Sequence, residues 1–265
     1  MPVLNDIEAG ARPLIGDAPK ALQEALARAC AAHYRLAGHT FDYRRFAVSP
    51  EFDTLAAVAR SLAEFDCAGL GVGRRLPFWL NVYNALVVHA VVARSAVAGV
   101  HAMKDFFSDS RYVVSGHVFS LDEIEHGLLR INAPRLRMGG TPFRAGDPRQ
   151  ALAPFMFDER VHFAMYSACR SSPRPAAYAA DGLAAALEDA ACTYLAAQVR
   201  VADAGATLVV PKLFDWYSAD FGGDSGVREF VISRLQRDED IDAVERRAGR
   251  VRLRYSVFDW TLNGA

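Results

Sequence analysis

The chain is poor in the features that announce a specialised protein. It has four cysteines in 265 residues (Cys30, Cys67, Cys169 and Cys192), far apart, with no CxxC pair and no spacing of a zinc site. That excludes a disulfide scaffold and leaves free thiols in a reducing cytoplasm as the expectation. Charge of one sign is missing too: 30 basic and 31 acidic side chains give a net charge of −1, the wrong balance for a protein built to neutralise nucleic-acid phosphates. No apolar run is long enough to suggest a membrane span. The stretch from Phe78 to Ala93 is 16 residues and contains Asn81, Asn84 and His89, so it reads as a buried helix. Residues 1–20 carry Asp6, Glu8 and Asp17 and lack the uninterrupted apolar segment of a secretory signal. The expected protein is cytoplasmic, with no membrane and no nucleic acid among its partners. No internal repeat and no low-complexity segment appears, and 52% apolar residues suffice for a sizeable core.

What is present reads as one α+β domain over 1–265, with a helical N-terminal part over 1–70. Asp17 is placed to cap a helix over Ala18–Leu36 that Gly38 ends. Ser49-Pro50 starts a second helix to about Asp66, and Pro77 opens a third to about Arg94, apolar on nearly every side and hence central. Residues 112–119 form a hairpin around Ser115-Gly116. Ser120 to Glu123 is a capping box for a helix to Arg130. A long Pro-, Gly- and Arg-rich loop fills 132–150. Val161–Ser167 reads as a strand, Ala180–Val199 as a helix and Ala206–Val210 as a strand. Lys212–Phe221 and Val227–Leu235 read as helices, and Val251–Phe258 as a closing strand. The sum is a helix-rich fold with a small, mainly antiparallel sheet.

Several segments then carry a resemblance. Phe78-Trp79-Leu80-Asn81-Val82-Tyr83-Asn84-Ala85 comes first, then Gly116-His117 with Ser120-Leu121-Asp122-Glu123-Ile124-Glu125-His126. Val161-His162-Phe163-Ala164-Met165 and Ser171-Ser172-Pro173 follow. Pro211 to Tyr217, Asp220-Phe221-Gly222 and Phe258 to Asn263 complete the order. Together, from about residue 75 to the C-terminus, they resemble the domain-of-unknown-function family numbered 547, found in bacteria and plants. The resemblance implies a compact α+β domain and little about activity. It also exposes a departure: the family usually follows its His-Phe-Ala segment with a polar residue and then Cys-Gly, where this chain has Tyr166, Ser167 and Ala168. A thiol returns two residues past that position, at Cys169, so shared cysteine chemistry would rest on Ser167 or Cys169.

The candidate site grows from these residues. Asn81 and Asn84, three apart, share one face of the apolar helix, where an unpartnered amide costs about 1–3 kcal/mol. They either floor a pocket or satisfy irregular backbone from a neighbouring loop. His117, after the hairpin glycine, is either a base or ligand group or a turn residue. The order of helix start, histidine on a following strand, then acid matches papain-like and transglutaminase-like layouts, although no Cys or Ser stands at 77–81. Glu123 and His126 have the ExxH spacing of carboxylate-bridged metals, but the capping box already explains Glu123, so no metal and no cofactor is expected. On a strand, His162 and Ser167 face opposite sides. Ser167 to Pro173 is hydroxyl-rich: Cys169 beside Arg170 is a candidate nucleophile, and amides near Ser171 are candidate oxyanion donors. Of four arginines over 135–149, Arg144 is a candidate anion binder, against the plain alternative of solvated surface.

The expected function is therefore acyl transfer on an amide, ester or thioester, by an acyltransferase or hydrolase taking a small-molecule or acyl-carrier-linked substrate. Ser167 or Cys169 is the nucleophile, with His117, or else His162, as base. Asn81, Asn84, Arg170, Ser171 and Arg144 hold the substrate. The alternative is a binding or scaffold protein that keeps the fold without the chemistry.

Overall fold

Helix α1 (Ala18–His33) starts where the Asp17 carboxylate accepts from the Lys20 amide, with Pro19 in the first turn. It stops at His33, short of Leu36, because Tyr34 turns extended and begins a two-residue pair, β1 (Tyr34–Arg35) with β2 (Thr40–Phe41). The short α2 (Tyr43–Phe46) follows. Helix α3 (Pro50–Ser61) is capped by the Ser49 hydroxyl, as expected, and ends earlier than Asp66. A computed structural model describes residues 3–6, 16–95, 99–100, 103, 105–135, 139–247 and 250–264. Glu8, and Arg137 among the four arginines over 135–149, fall outside them.

Helix α4 (Val72–Ala93) is 22 residues long, and every position from Pro77 to Val91 is buried. It is long and apolar enough to cross a bilayer, yet 83% of its most apolar window is buried within protein. The helix begins five residues before Pro77, not at it. A proline inside a helix crowds the carbonyl four residues back, here that of Gly73. Gly73 is exposed, so the turn that the proline disturbs lies at the solvent-facing start of the helix. At that start Arg74 N–H donates to the Gly71 carbonyl at 2.9 Å.

The short α5 (Phe106–Asp109) leads into β3 (Arg111–Val114), which pairs antiparallel with β4 (His117–Ser120). Ser115 and Gly116 both have positive φ (52° and 72°), the turn that matches the twist of a two-residue hairpin. The capping box forms as read: Glu123 accepts from the Ser120 amide at 3.0 Å, and Ser120 Oγ accepts from the Glu123 amide at 3.1 Å. What it starts is a π-helix over Glu123–Leu129. Gly127 faces the Phe143 ring so closely that a Cβ there would collide with it.

Val161–Ser167 is not a strand. Glu159–Phe163 is a 3-10 turn capped by Asp158, and the chain beyond it is irregular. Its apolar run is buried without joining a ladder, because side chains of α4 take the backbone groups that a neighbouring strand would have taken.

The chain divides into two compact units, residues 1–186 with 260–265, and residues 187–259. Helix α6 (Leu183–Gln198) starts in the first and runs into the second. In the second unit, β5 (Arg200–Ala202) pairs antiparallel with β6 (Thr207–Val210), which pairs parallel with β7 (Arg252–Tyr255). The stretch read as one helix over 212–221 splits into α7 (Leu213–Trp216) and a 3-10 turn, then α8 (Gly223–Ile232) and α9 (Asp238–Glu245) follow. Phe214, Phe221 and Phe230 form its aromatic centre, with ring centroids 4.9 to 6.1 Å apart. Helix-rich α+β with small, mainly antiparallel sheets is the observed class.

Candidate functional site

Asn81 and Asn84 stand one turn apart on α4, as their spacing requires. The Asn81 amide closes a two-bond ring with one residue: Nδ2 donates to the Tyr178 carbonyl at 2.7 Å and Oδ1 accepts from the Tyr178 amide at 2.8 Å. Asn84, 0% exposed, makes three bonds. Its Nδ2 donates to the Ala164 and Ala176 carbonyls, both at 3.0 Å, and its Oδ1 accepts from the Tyr166 amide at 2.9 Å. The two side chains act on segment 164–178 as a strand edge would. This is the second of the two roles open to them in the sequence, and Asn81 combines it with a place on the wall of a groove.

The Ser167–Pro173 segment is tied internally. Ser167 N–H donates to Ser172 Oγ at 2.8 Å, and that hydroxyl donates on to the Pro173 carbonyl at 2.9 Å. Ser172 N–H donates to the Cys169 carbonyl and Arg170 N–H to the Thr261 carbonyl, each at 3.0 Å. These amides, expected near an oxyanion, hold the turn itself, which Ala168 passes at φ +58°. Cys169 is 0% exposed and its Sγ donates to the Ser167 carbonyl at 3.1 Å. Burial raises the pKa of the phenols of Tyr43, Tyr83 and Tyr166. The Tyr43 and Tyr166 hydroxyls meet each other and both reach Asn263 Oδ1. Ser167 and Ser171 are half-buried and Arg170 is exposed.

His117 is half-buried on β4, its ring edge-on to Phe119 at 6.4 Å. Its other neighbour is Asp147, whose carboxyl sits below its ordinary range chiefly through the Arg149 hydrogen bond, with a smaller contribution from His117. Arg149 in turn stacks on Phe143 at 4.4 Å and donates to Glu123 and the Val118 carbonyl, both at 3.0 Å. The structure thus gathers His117 with the arginine-rich loop, where Arg144 is exposed. His162 is buried in the 3-10 turn, 6.2 Å from the Phe157 ring. Because that backbone is not extended, the alternation that set His162 and Ser167 on opposite faces does not apply.

Two features escaped the sequence reading. The first is His39, in the turn between β1 and β2 at φ +49°. Its Nδ1 is 2.7 Å from the Tyr34 hydroxyl, and its ring lies against the backbone of Cys169 and Ser172. Burial lowers its pKa, so the ring is held neutral. The dipeptide Gly38-His39 after a helix end was its only signal. The second is an ionic cluster on the π-helix. Tyr83 donates to Glu125 Oε2 at 3.2 Å, and His126 Nε2 is 3.6 Å from both Glu125 and Asp122. Arg130 donates to His126 Nδ1 at 2.7 Å and to the Pro134 carbonyl at 3.1 Å, and Arg135 pairs with Asp122.

The first unit has an open groove of about 500 Å³ between the start of α1, the start of α4 and residues 178–181. Phe78 and Asn81 line its inner wall and Lys20, Asp17 and Arg74 its rim, the last two joined at 2.8 and 3.0 Å. That volume is in the range of small-molecule sites.

With fold and site in view, residues 68–195 match the model of the family described as "Protein of unknown function, DUF547". That stretch holds α4, the hairpin, the π-helix and the Ser167–Pro173 turn. The motifs from Pro211 onward lie beyond the matched residues. No curated protein and no solved structure matches the chain.

Proposed function

We propose that this chain is a non-catalytic binding protein, with the groove above Asn81 as the place where a small molecule is held. One observation carries this reading: the thiol and the amides that acyl transfer would need are committed inside the protein, with Cys169 fully buried and bonded to the Ser167 carbonyl. A nucleophile has to be reachable, and an oxyanion hole needs amides with nothing else to donate to. The groove, by contrast, is open and its rim carries both signs of charge. In this reading the protein works in a reducing compartment, where its four thiols remain free.

The test is hydrolysis of a simple aryl ester, an aryl amide and an alkyl thioester by the full chain and by Ser167→Ala and Cys169→Ala. Equal rates for all three proteins are expected. A loss of tenfold or more in either variant overturns the reading.

Acyl transfer is the second reading, and His39 is what favours it. An imidazole held neutral by burial, oriented by Tyr34 and set against the Cys169–Ser172 backbone, is placed to serve as a base for the half-buried Ser167 or Ser171. This reading moves the base from His117 to His39. It predicts that His39→Gln removes activity and His117→Gln does not.

A further inference from the structure

The second unit contains a cavity of about 350 Å³ where the end of α6, the strand β5 and the end of α8 meet. The apolar part of its floor comes from Leu195, Val199 and Leu235, and Asp240 also lines it, beside Arg237. Its rim carries three guanidinium groups, and they are in different electrical situations. Arg234 is spent. It makes two bonds to Glu188, at 2.7 and 3.1 Å, a third to the Phe230 carbonyl at 3.0 Å, and lies 3.7 Å over the Phe230 ring. Arg237 has carboxylates of its own in Glu239 and Asp240. Arg200 differs. It is exposed, stands two residues past the end of α6, and its side chain has no hydrogen bond and no ion pair among the described residues.

An uncommitted guanidinium beside a patch of apolar side chains selects a ligand with two halves. The planar fork gives two parallel hydrogen bonds to a carboxylate or phosphate head, and the hollow removes an alkyl chain from water. We propose that this cavity binds an anionic amphiphile, a medium-chain carboxylate or its monoalkyl phosphate counterpart, with Arg200 holding the head and the floor at Leu195, Val199 and Leu235 receiving the chain. This site belongs to the second unit alone and does not depend on the groove above Asn81.

The experiment is calorimetric titration of the full chain with octanoate, hexanoate, octyl phosphate, octanol and inorganic phosphate. Octanoate saturates a single site, and hexanoate binds about tenfold more weakly, since each buried methylene is worth roughly a factor of four at most. Octanol and inorganic phosphate, each lacking one half of the ligand, bind at least tenfold more weakly than octanoate. Octyl phosphate against octanoate decides which head is preferred. Arg200→Gln, an exposed change that leaves the fold intact, weakens octanoate about tenfold or more. Leu235→Asp, which sets a carboxylate in the floor, abolishes binding while the thermal transition shows the variant folded. Equal octanoate affinity in Arg200→Gln and the parent overturns the proposal. So does the absence of saturable octanoate binding, or equal affinity for hexanoate and octanoate.

Discussion

Helix α4 and the π-helix both bring polar side chains into the interior of the first unit, and they use them differently. Midway along α4 these are the neutral amides of Asn81 and Asn84, and all five of their hydrogen bonds go to backbone of one irregular segment, 164–178. On the π-helix the groups are Glu125, His126 and Arg130, which hold one another together with Tyr83 and Asp122. A neutral amide fixes chain geometry at any pH and salt, whereas an ionic cluster fixes it only while its charges stay paired.

The sharpest way to break the comparison is Asn84→Ala. It strands two carbonyls and one amide in a site with no exposure, and about 3–5 kcal/mol of stability should be lost, read by urea unfolding. The loss should be the same at low and high salt. A cost under about 1 kcal/mol would mean that segment 164–178 holds its own shape. Next in size is Arg130→Met, which leaves the buried His126 Nδ1 and the Pro134 carbonyl without their donor and should cost about 2–4 kcal/mol. Here the cost should shrink as salt is raised, as the Asn84 effect does not. Identical salt response of the two variants would erase the distinction.

A third prediction concerns the far end of α4, where burial, more than the charge of Arg60, pulls the pKa of His89 down to about 4. The folded protein therefore keeps this ring neutral while the unfolded chain takes up a proton near pH 6.5. Its contribution is fully present above pH 6.5 and is lost as pH falls toward 4, a drop of about 3 kcal/mol. His89→Gln keeps a partner for the Tyr112 hydroxyl, 2.8 Å from Nδ1 in the parent, and should flatten that part of the pH profile. A profile unchanged by the substitution would refute the assignment. The smallest effect belongs to the start of the π-helix: Ser120→Ala removes half of the capping box and should cost about 1 kcal/mol in the same unfolding measurement.

The parts of this fold that were legible from the sequence are those set by neighbours in the chain. Asp17 before Ala18, Ser49 before Pro50, Ser115-Gly116 and the Ser120–Glu123 box each act within four residues, and each formed as read. Segment 161–167 was not legible, because what replaces its ladder comes from Asn84, about 80 residues away. The π-helix was read as an ordinary helix because its wider turn accommodates Phe143 over Gly127, a contact between distant positions. In the site, the pairing of Asn81 and Asn84 followed from helical spacing. Their partners did not, and the histidine beside Cys169 and Ser172 came from a turn in the N-terminal part, marked only by Gly38 after a helix end.

The non-catalytic reading rests on the interior around Cys169 being closed. Mass-spectrometric timing of alkylation in the native protein by a small neutral thiol reagent tests that directly, with the half-buried Cys192 as the internal standard. The account predicts that Cys169 reacts only when the protein unfolds, at least a hundredfold more slowly than Cys192. Labelling of Cys169 as fast as Cys192 in the folded protein would contradict it and return the thiol to the list of working nucleophiles.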